Sequence, residues 1–495
     1  MTLRPFPATI ATRLVPAALL TLLASGCVSM APDYERPALP VPAAYTAPGP
    51  EATAANAAAA AEIGWRTYFP DPALQTLIST ALDNNRDLRR ALLRVEEARA
   101  LYGIQRADQF PTIGVQADGS RARVPGDLNL TGQPLVSSQY QVGLGMASWE
   151  LDFWGRVRSL KDAALQNYLA SDAAARAATL SLVAEVADSY LSLRELDERL
   201  ALTRETIASR EESLRIFRRR FEEGAISKLD LTQVETLWQQ AKALGADLEQ
   251  TRAAQASALE LLAGAPLNLP KLPTRLDDNA VMRELPAGLP SDLLVNRPDI
   301  VAAEHQLQAA NANIGAARAA FLPTITLTGA FGTASSELDG LFSGGSRAWN
   351  FAPSISLPIF DGGRRSANLD LTEARRDQAV AAYEQTIQTA FKDVSDALSA
   401  RYWLAEQVDV LRATVAAQSE RARLAQLRYD HGASPYLEVL DAQRDLLAAQ
   451  QKLAQTRRAL LSSRVRLYAA LGGGTQAPPA AQTASAPTAS PPINQ

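Results

Sequence analysis

Cysteine, histidine and methionine are almost missing from this 495-residue chain, which has 1 Cys, 2 His and 4 Met. A lone cysteine, Cys27, excludes an intrachain disulfide and a cysteine-built metal site. His305 and His431 stand far apart with no Ser or Cys nucleophile motif beside them, so no catalytic constellation assembles. We expect no enzyme, no cofactor and no metal. Scarce Met and His also argue against a thioether-lined copper route. Neither sign of charge dominates: 49 Lys and Arg face 53 Asp and Glu, a net charge of −4. No basic stripe is long enough to track a phosphate backbone, so nucleic acid is not a partner. Beyond residue 26 no apolar run approaches the ~20 residues of a spanning helix. Aromatics are only 6% of the chain, while Ala, Leu, Gln, Glu and Arg are plentiful, a composition of long helices.

The one long apolar run lies at the start. Arg4 and Arg13 precede a run from Leu14 to Leu23, then Ala24-Ser25-Gly26 and Cys27. That is the pattern of a signal peptide over residues 1–26. Small residues directly before a cysteine resemble a bacterial lipobox, with Ala24 where Leu is usual. Cys27 is the expected lipidated first residue of the mature chain, and Val28 after it points to the outer membrane.

The chain is duplicated. Phe110-Pro111-Thr112-Ile113 returns 212 residues later as Leu322-Pro323-Thr324-Ile325, and the same shift carries Asn84 to Asn296 and Asp87 to Asp299. Beyond Gly155-Arg156 and Gly363-Arg364 the shift is 208, and it holds through Val186 and Val394, Gly224 and Gly432, and Leu229 and Leu437. Such a register marks an internal repeat. Four residues therefore differ between the prolines and the Gly-Arg pairs, which places a loop there.

Around that loop the apolar period is two: Ile113, Val115, Ala117; Tyr140, Val142, Leu144, Met146; Ile325, Leu327, Phe331; Phe351, Ile355, Leu357, Ile359. Alternation predicts one hairpin per repeat, with strands of about ten residues that suit a tilted membrane crossing. Elsewhere the period is seven. Val186, Leu193, Leu200, Ile207, Leu214 and Phe221 form one row; Val408, Val415, Ala422 and Tyr429 form its counterpart, and Leu446, Leu453, Leu460 and Leu467 a returning row. Strict heptads predict a left-handed coiled coil. With no Gly or Pro from Arg156 to Glu223, the first helix reaches on the order of 100 Å. Both helices end at similar tips, where Gly224 or Gly432 supplies the C-cap and Ser227 or Ser434 the next N-cap.

Six segments follow: signal 1–26; lipidated extended segment 27–70; first repeat 71–266 with hairpin 111–154 and tip 222–230; linker 267–290; second repeat 291–474 with hairpin 323–362 and tip 430–438; disordered tail 475–495. Four strands cannot close a barrel, and an open edge in lipid is forbidden, so several chains must share one. Three chains give twelve strands and begin to leave a lumen.

The mature chain resembles the TolC-like outer-membrane factor family, in its lipoprotein branch of OprM/NodT type. The residues that carry the resemblance are Trp65 with Phe69-Pro70-Asp71-Pro72-Ala73-Leu74, Asn85-Arg86-Asp87-Leu88, Asn296-Arg297-Pro298-Asp299-Ile300, Leu357-Pro358-Ile359-Phe360-Asp361-Gly362-Gly363 and Leu440-Asp441-Ala442-Gln443-Arg444. It implies a mixed α/β membrane protein: a homotrimeric twelve-stranded β-barrel, four strands per chain, continued by a periplasmic α-helical coiled-coil barrel. Its implied role is the passive exit duct of a tripartite efflux system, served by a periplasmic adaptor and an inner-membrane pump, the latter of RND type. The resemblance also implies a periplasmic gate at Leu437, Asp441 and Arg444, matched in the first repeat by Leu229 and Gln233. The expected adaptor-docking tips are Gly224, Ala225 and Ser227 with Gly432, Ala433 and Ser434. Two other readings remain at this point, a structural coiled-coil lipoprotein and the exit duct of a type I secretion system. Leu471 to Gly474 reads as a helix stop, and Arg218-Arg219-Arg220 as a solvated helix face.

Overall fold

A computed structural model describes residues 29–45, 60–269, 275–282, 285 and 290–476. Cys27, the signal and most of the tail lie outside the described residues. The elements, in order, are α1 (Trp65–Tyr68), α2 (Pro72–Asn84), α3 (Arg86–Ala107), β1 (Ile113–Val124), β2 (Leu135–Glu150), α4 (Arg156–Glu222), α5 (Lys228–Ala263), α6 (Leu293–Asn296), α7 (Pro298–Ala319), β3 (Thr324–Ser335), β4 (Arg347–Ser356), α8 (Arg364–Asp430) and α9 (Tyr436–Ala470). Helices α4 and α8 each run 67 residues. This is the TolC-like fold, mainly helical, with one small sheet among the described residues. No helix among the described residues is long and apolar enough to cross a membrane.

The chain forms two compact units. Among the described residues, one holds those up to Pro37, Val95–Ser171 and Ala303–Tyr383; the other holds those within Ala38–Arg94 and Asp172–Ala302 and those from Glu384 onward. Each draws on both repeats.

The first unit carries an antiparallel sheet of order β1-β2-β3-β4. Its register pairs Val115 with Leu144, Ala117 with Val142, Leu144 with Phe331, and Phe331 with Trp349. Because side chains alternate across a strand, one face collects Ile113, Val115, Val142, Leu144, Met146, Ile325, Leu327, Phe331, Trp349, Phe351 and Ile355. The opposite face holds Gln116, Asp118, Gln139, Gln141, Glu150, Thr326, Thr328, Asn350 and Ser354 with small residues, and Val124 and Leu135 at its turn end. Strand β2 is 16 residues, longer than the alternation suggests: it starts at Leu135, ahead of the alternating run, and a bulge between Met146 and Trp149 carries it on to Glu150. Ser148 takes φ 41° there. Leu357 and Ile359 lie past β4, which stops before Pro358.

Two devices fix the same unit. Asp152 caps α4, accepting from the Val157 and Arg158 amides at 3.1 and 2.7 Å. The N-terminal segment lies along α7: Arg36 makes two 2.8 Å bonds to Glu304, the Tyr34 hydroxyl donates to the same carboxylate, and the Pro32 carbonyl accepts from Asn311. Burial, then the charge of Glu304, pushes the Tyr34 hydroxyl up to about 12.

In the second unit the heptad rows form the core. Val186, Leu193, Leu200 and Leu214 are buried, whereas Phe221 at the end of the row is exposed. Leu196, Leu200 and Leu248 join α4 to α5. A belt of ion pairs crosses this core. Asp197 accepts from Arg252 at 2.6 Å and Arg194 at 3.2 Å, and Glu198 pairs with Arg457 at 3.1 Å. Arg457 also reaches Asp278, at 2.9 Å, and the Leu276 amide donates to Glu198, so the connection between the repeats is tied to α4 and α9. Buried charges persist only when partnered in this way.

The repeats close with matching contacts. Gly264 (φ +67°) ends α5 against the Asn84 carbonyl, and Gly472 (φ +73°) follows α9 against the Asn296 carbonyl. A Cβ at either position meets backbone, and the left-handed φ adds strain of about 1–3 kcal/mol. Gly264→Ala and Gly472→Ala should each lower the thermal midpoint followed by circular dichroism. Gly245→Ala, inside α5 and facing the flexible end of Ile207, should stay near wild type. Wild-type midpoints for both cap variants would refute the need for glycine.

Candidate functional site at the helix tips

Both tips are built by backbone geometry. At the first, Gly224 takes φ +75°, its N–H donates to the Phe221 carbonyl, and the Ala225 N–H donates to the Arg220 carbonyl at 2.8 Å. This pattern satisfies the last carbonyls of α4. Ser227 then opens α5 with a capping box: its hydroxyl accepts from the Asp230 N–H at 3.2 Å, and the Asp230 carboxylate accepts from the Ser227 N–H at 3.1 Å. The second tip repeats the exit, with Gly432 at φ +71° and the Ala433 N–H on the Arg428 carbonyl.

Its entry differs from expectation. The N-cap of α9 is Pro435, which makes no side-chain cap, and the buried Ser434 hydroxyl has no partner. Ser434 stands one residue too early, because the repeat register sets Pro435 opposite Ser227. Side chains hold this turn instead. Tyr436 donates to the Ser213 hydroxyl at 2.8 Å, Tyr429 and Tyr436 lie 4.8 Å apart, and Arg428 pairs with Glu438 at 3.2 Å.

The two tips share one core. Leu214, Phe217, Leu231 and Val234 of the first enclose Leu440 of the second, with Trp238, Tyr429 and Tyr436 packed around them. Arg220 donates to the Tyr429 hydroxyl, so at least one member of the basic triplet faces protein. Arg210 is buried in this region and donates to the Leu237 carbonyl at 2.6 Å; burial pulls its pKa down.

On this base stand the expected gate residues. Leu229 is 66% exposed and Leu437 46% exposed. Gln233 is half-buried. Arg444 lies 3.1 Å from Asp441, three residues earlier on one helical face. The same guanidinium is 3.2 Å from Asp445, which in turn lies 2.7 Å from Arg421 on α8. Arg421, and then Arg444, hold the Asp445 carboxyl below the ordinary range. The array thus runs Asp441, Arg444, Asp445, Arg421 and bridges two helices. Sequence reading found the local pair and missed Asp445 and Arg421. Asp445 beside Arg444 was a visible signal, whereas the link to Arg421 crosses between helices and leaves none.

Other sequence candidates fall outside this site. His305 Nδ1 lies 2.7 Å from Gln166 Oε1, on other helices of the first unit. Leu471 to Gly474 ends α9 and docks on chain: the Gly474 N–H donates to the Ala60 carbonyl. No group of three or more His, Cys, Asp or Glu suited to a metal occurs among the described residues.

A duplicated chain with an apolar-faced sheet and coiled helices ending in tight tips defines a membrane duct. Known proteins agree. The outer membrane efflux protein family matches residues 77–265 and 289–473. The solvent efflux pump outer membrane protein SrpC of Pseudomonas putida is 47% identical over 464 residues, covering 92% of this chain and 96% of that protein. Outer membrane protein OprJ of Pseudomonas aeruginosa is 47% identical over 461 residues, covering 92% and 95%. A crystal structure of the open state of the Neisseria gonorrhoeae MtrE outer membrane channel superposes with a TM-score of 0.81 at 42% identity, over 90% of this chain and 99% of that one. A membrane protein from P. aeruginosa gives 0.85 at 46% identity, over 90% and 100%.

The chain belongs to the outer membrane efflux protein family. It is the outer-membrane channel component of a tripartite efflux system, with a periplasmic extension, and its family is one of transport channels rather than enzymes.

Proposed function

We propose that three copies of this chain form a twelve-stranded barrel and a passive exit duct, closed at rest by the α9 face near the second tip. The observation that carries this reading is the open sheet. Strands β1 and β4 each have one unpaired edge, and lipid allows none, so neighbouring copies must join β4 to β1. Helix α3 supports it, for Leu92, Leu93, Leu101 and Ile104 stand exposed on a single chain, as a surface awaiting a neighbour does.

The tips take a periplasmic adaptor, which joins the duct to an inner-membrane pump of RND type. Relatives carry names such as solvent, toluene and antibiotic efflux pump proteins. Small apolar compounds and antibiotics are therefore the cargo class. Cys27 carries the lipid anchor, and Cys27→Ser should end incorporation of labelled fatty acid. Unchanged labelling would exclude that cysteine. Inserting a bulky residue pair at Ala225 and at Ala433 should abolish export while trimers persist; normal export with both tips altered would remove docking from them.

The gate follows from symmetry. Three copies of Asp441 near one axis repel unless Arg444 compensates. Each exposed contact is worth only about 0–1 kcal/mol, but three coupled contacts in a narrow mouth add up. Asp441→Ala with Arg444→Ala should raise single-channel conductance in planar bilayers, and adding Leu437→Ala should raise it further. A triple variant that forms trimers yet conducts like wild type would assign these residues to helix packing alone.

A further inference from the structure

Arginine recurs at one height on the apolar face of the sheet. Ile113, Ile325 and Ile355 mark its base: the first two are repeat-equivalent, and Ile325 pairs with Ile355. Six residues up each strand stands an aromatic row, Tyr140 opposite Gly119 and Phe331 opposite Trp349. Eight residues up stand Arg121 on β1 and Arg347 on β4; ten residues up stands Arg123. All three arginines are exposed, and all alternate in phase with the apolar side chains rather than with Gln116 and Asp118. No carboxylate stands on that face of the four strands. Among the described residues none of the three arginines is ion-paired.

The heights give these positions a meaning. At about 3.3 Å per residue and a tilt near 40°, eight to ten residues rise about 20–26 Å, the thickness of the apolar band of such barrels. The aromatic row, about 15 Å up, stands in the upper part of that band, and the arginines stand at its rim. This end carries the hairpin turns, away from the helices and so on the outer side of the membrane. A guanidinium there costs little to solvate and presents a fork suited to a phosphate.

We propose that Arg121, Arg123 and Arg347 form a binding girdle for the phosphate groups of a glycolipid in the outer leaflet. The girdle rests on the barrel reading above, in which the β4 of one chain meets the β1 of the next. That junction brings Arg347 beside Arg121 and Arg123 of a neighbouring copy, so one headgroup spans two chains and braces the seam.

The full-length protein, reconstituted in phosphatidylcholine vesicles with a bis-phosphorylated lipid A or with its dephosphorylated form, provides the test. After detergent extraction, mass spectrometry counts retained glycolipid per trimer. Wild type should retain the phosphorylated form about three- to ten-fold over the other. Arg121→Gln with Arg123→Gln and Arg347→Gln should erase that preference, and the corresponding triple change to Lys should keep part of it. Equal retention of the two lipids by wild type overturns the proposal without any variant, and so does a glutamine triple variant that binds like wild type. Conductance separates the two readings. Conduction in pure phosphatidylcholine by the wild type or by the Leu437→Ala, Asp441→Ala, Arg444→Ala gate variant upholds the barrel whatever the lipid result, and failure of both to conduct overturns barrel and girdle together.

Discussion

Backbone polarity in lipid is the constraint on which this molecule turns. A four-stranded sheet satisfies its inner N–H and C=O groups and leaves two edges bare. In water such edges need only blunting, but in hydrocarbon each bare group costs several kcal/mol. The chain therefore cannot span a membrane by itself. Its apolar sheet face, its exposed α3 stripe and its duplicated architecture become intelligible together once that incompleteness is granted.

The helical part answers a different requirement, rigidity over length. Helices of 67 residues gain little from propensity alone and depend on packing along an apolar seam. Here the seam is supplemented by the partnered charges around Asp197, Glu198, Arg252 and Arg457. Hydrophobic knobs tolerate sliding by a heptad, whereas a carboxylate shared by fixed guanidiniums accepts one register. Specificity of alignment is the return for burying charge at that level.

Much of this was legible in the sequence because it is periodic. Period two gave the strands, period seven the coiled helices, and the shift of 208 matched the two tips. What stayed hidden is non-local or substitutive. The link from Arg421 to Asp445 joins separate helices, and Glu198 meets Leu276 across 78 residues. Ser434 resembled a cap because serine usually is one, yet the register itself put Pro435 at the capping position and moved the burden to Tyr436. The β2 bulge escaped notice because its extra residues carry no pattern.

The aromatic seat of the second unit bears on how the chain acquires its fold. Tyr68 stacks on Tyr468 at 4.1 Å and donates to the Arg464 carbonyl, while Tyr468 donates to the Ile63 carbonyl, 405 residues away in sequence. Arg36 and Glu304 are 268 residues apart. Contacts of such separation form late, since the intervening loop must close first. The chain cannot fold progressively from its N-terminus as it emerges. Residues 60–69 wait for α9, almost the last segment made, and until then Tyr68 and Phe69 have each other but not Tyr468. A chain cut short within α9 loses the seat of its own beginning, so completeness is checked by the fold itself.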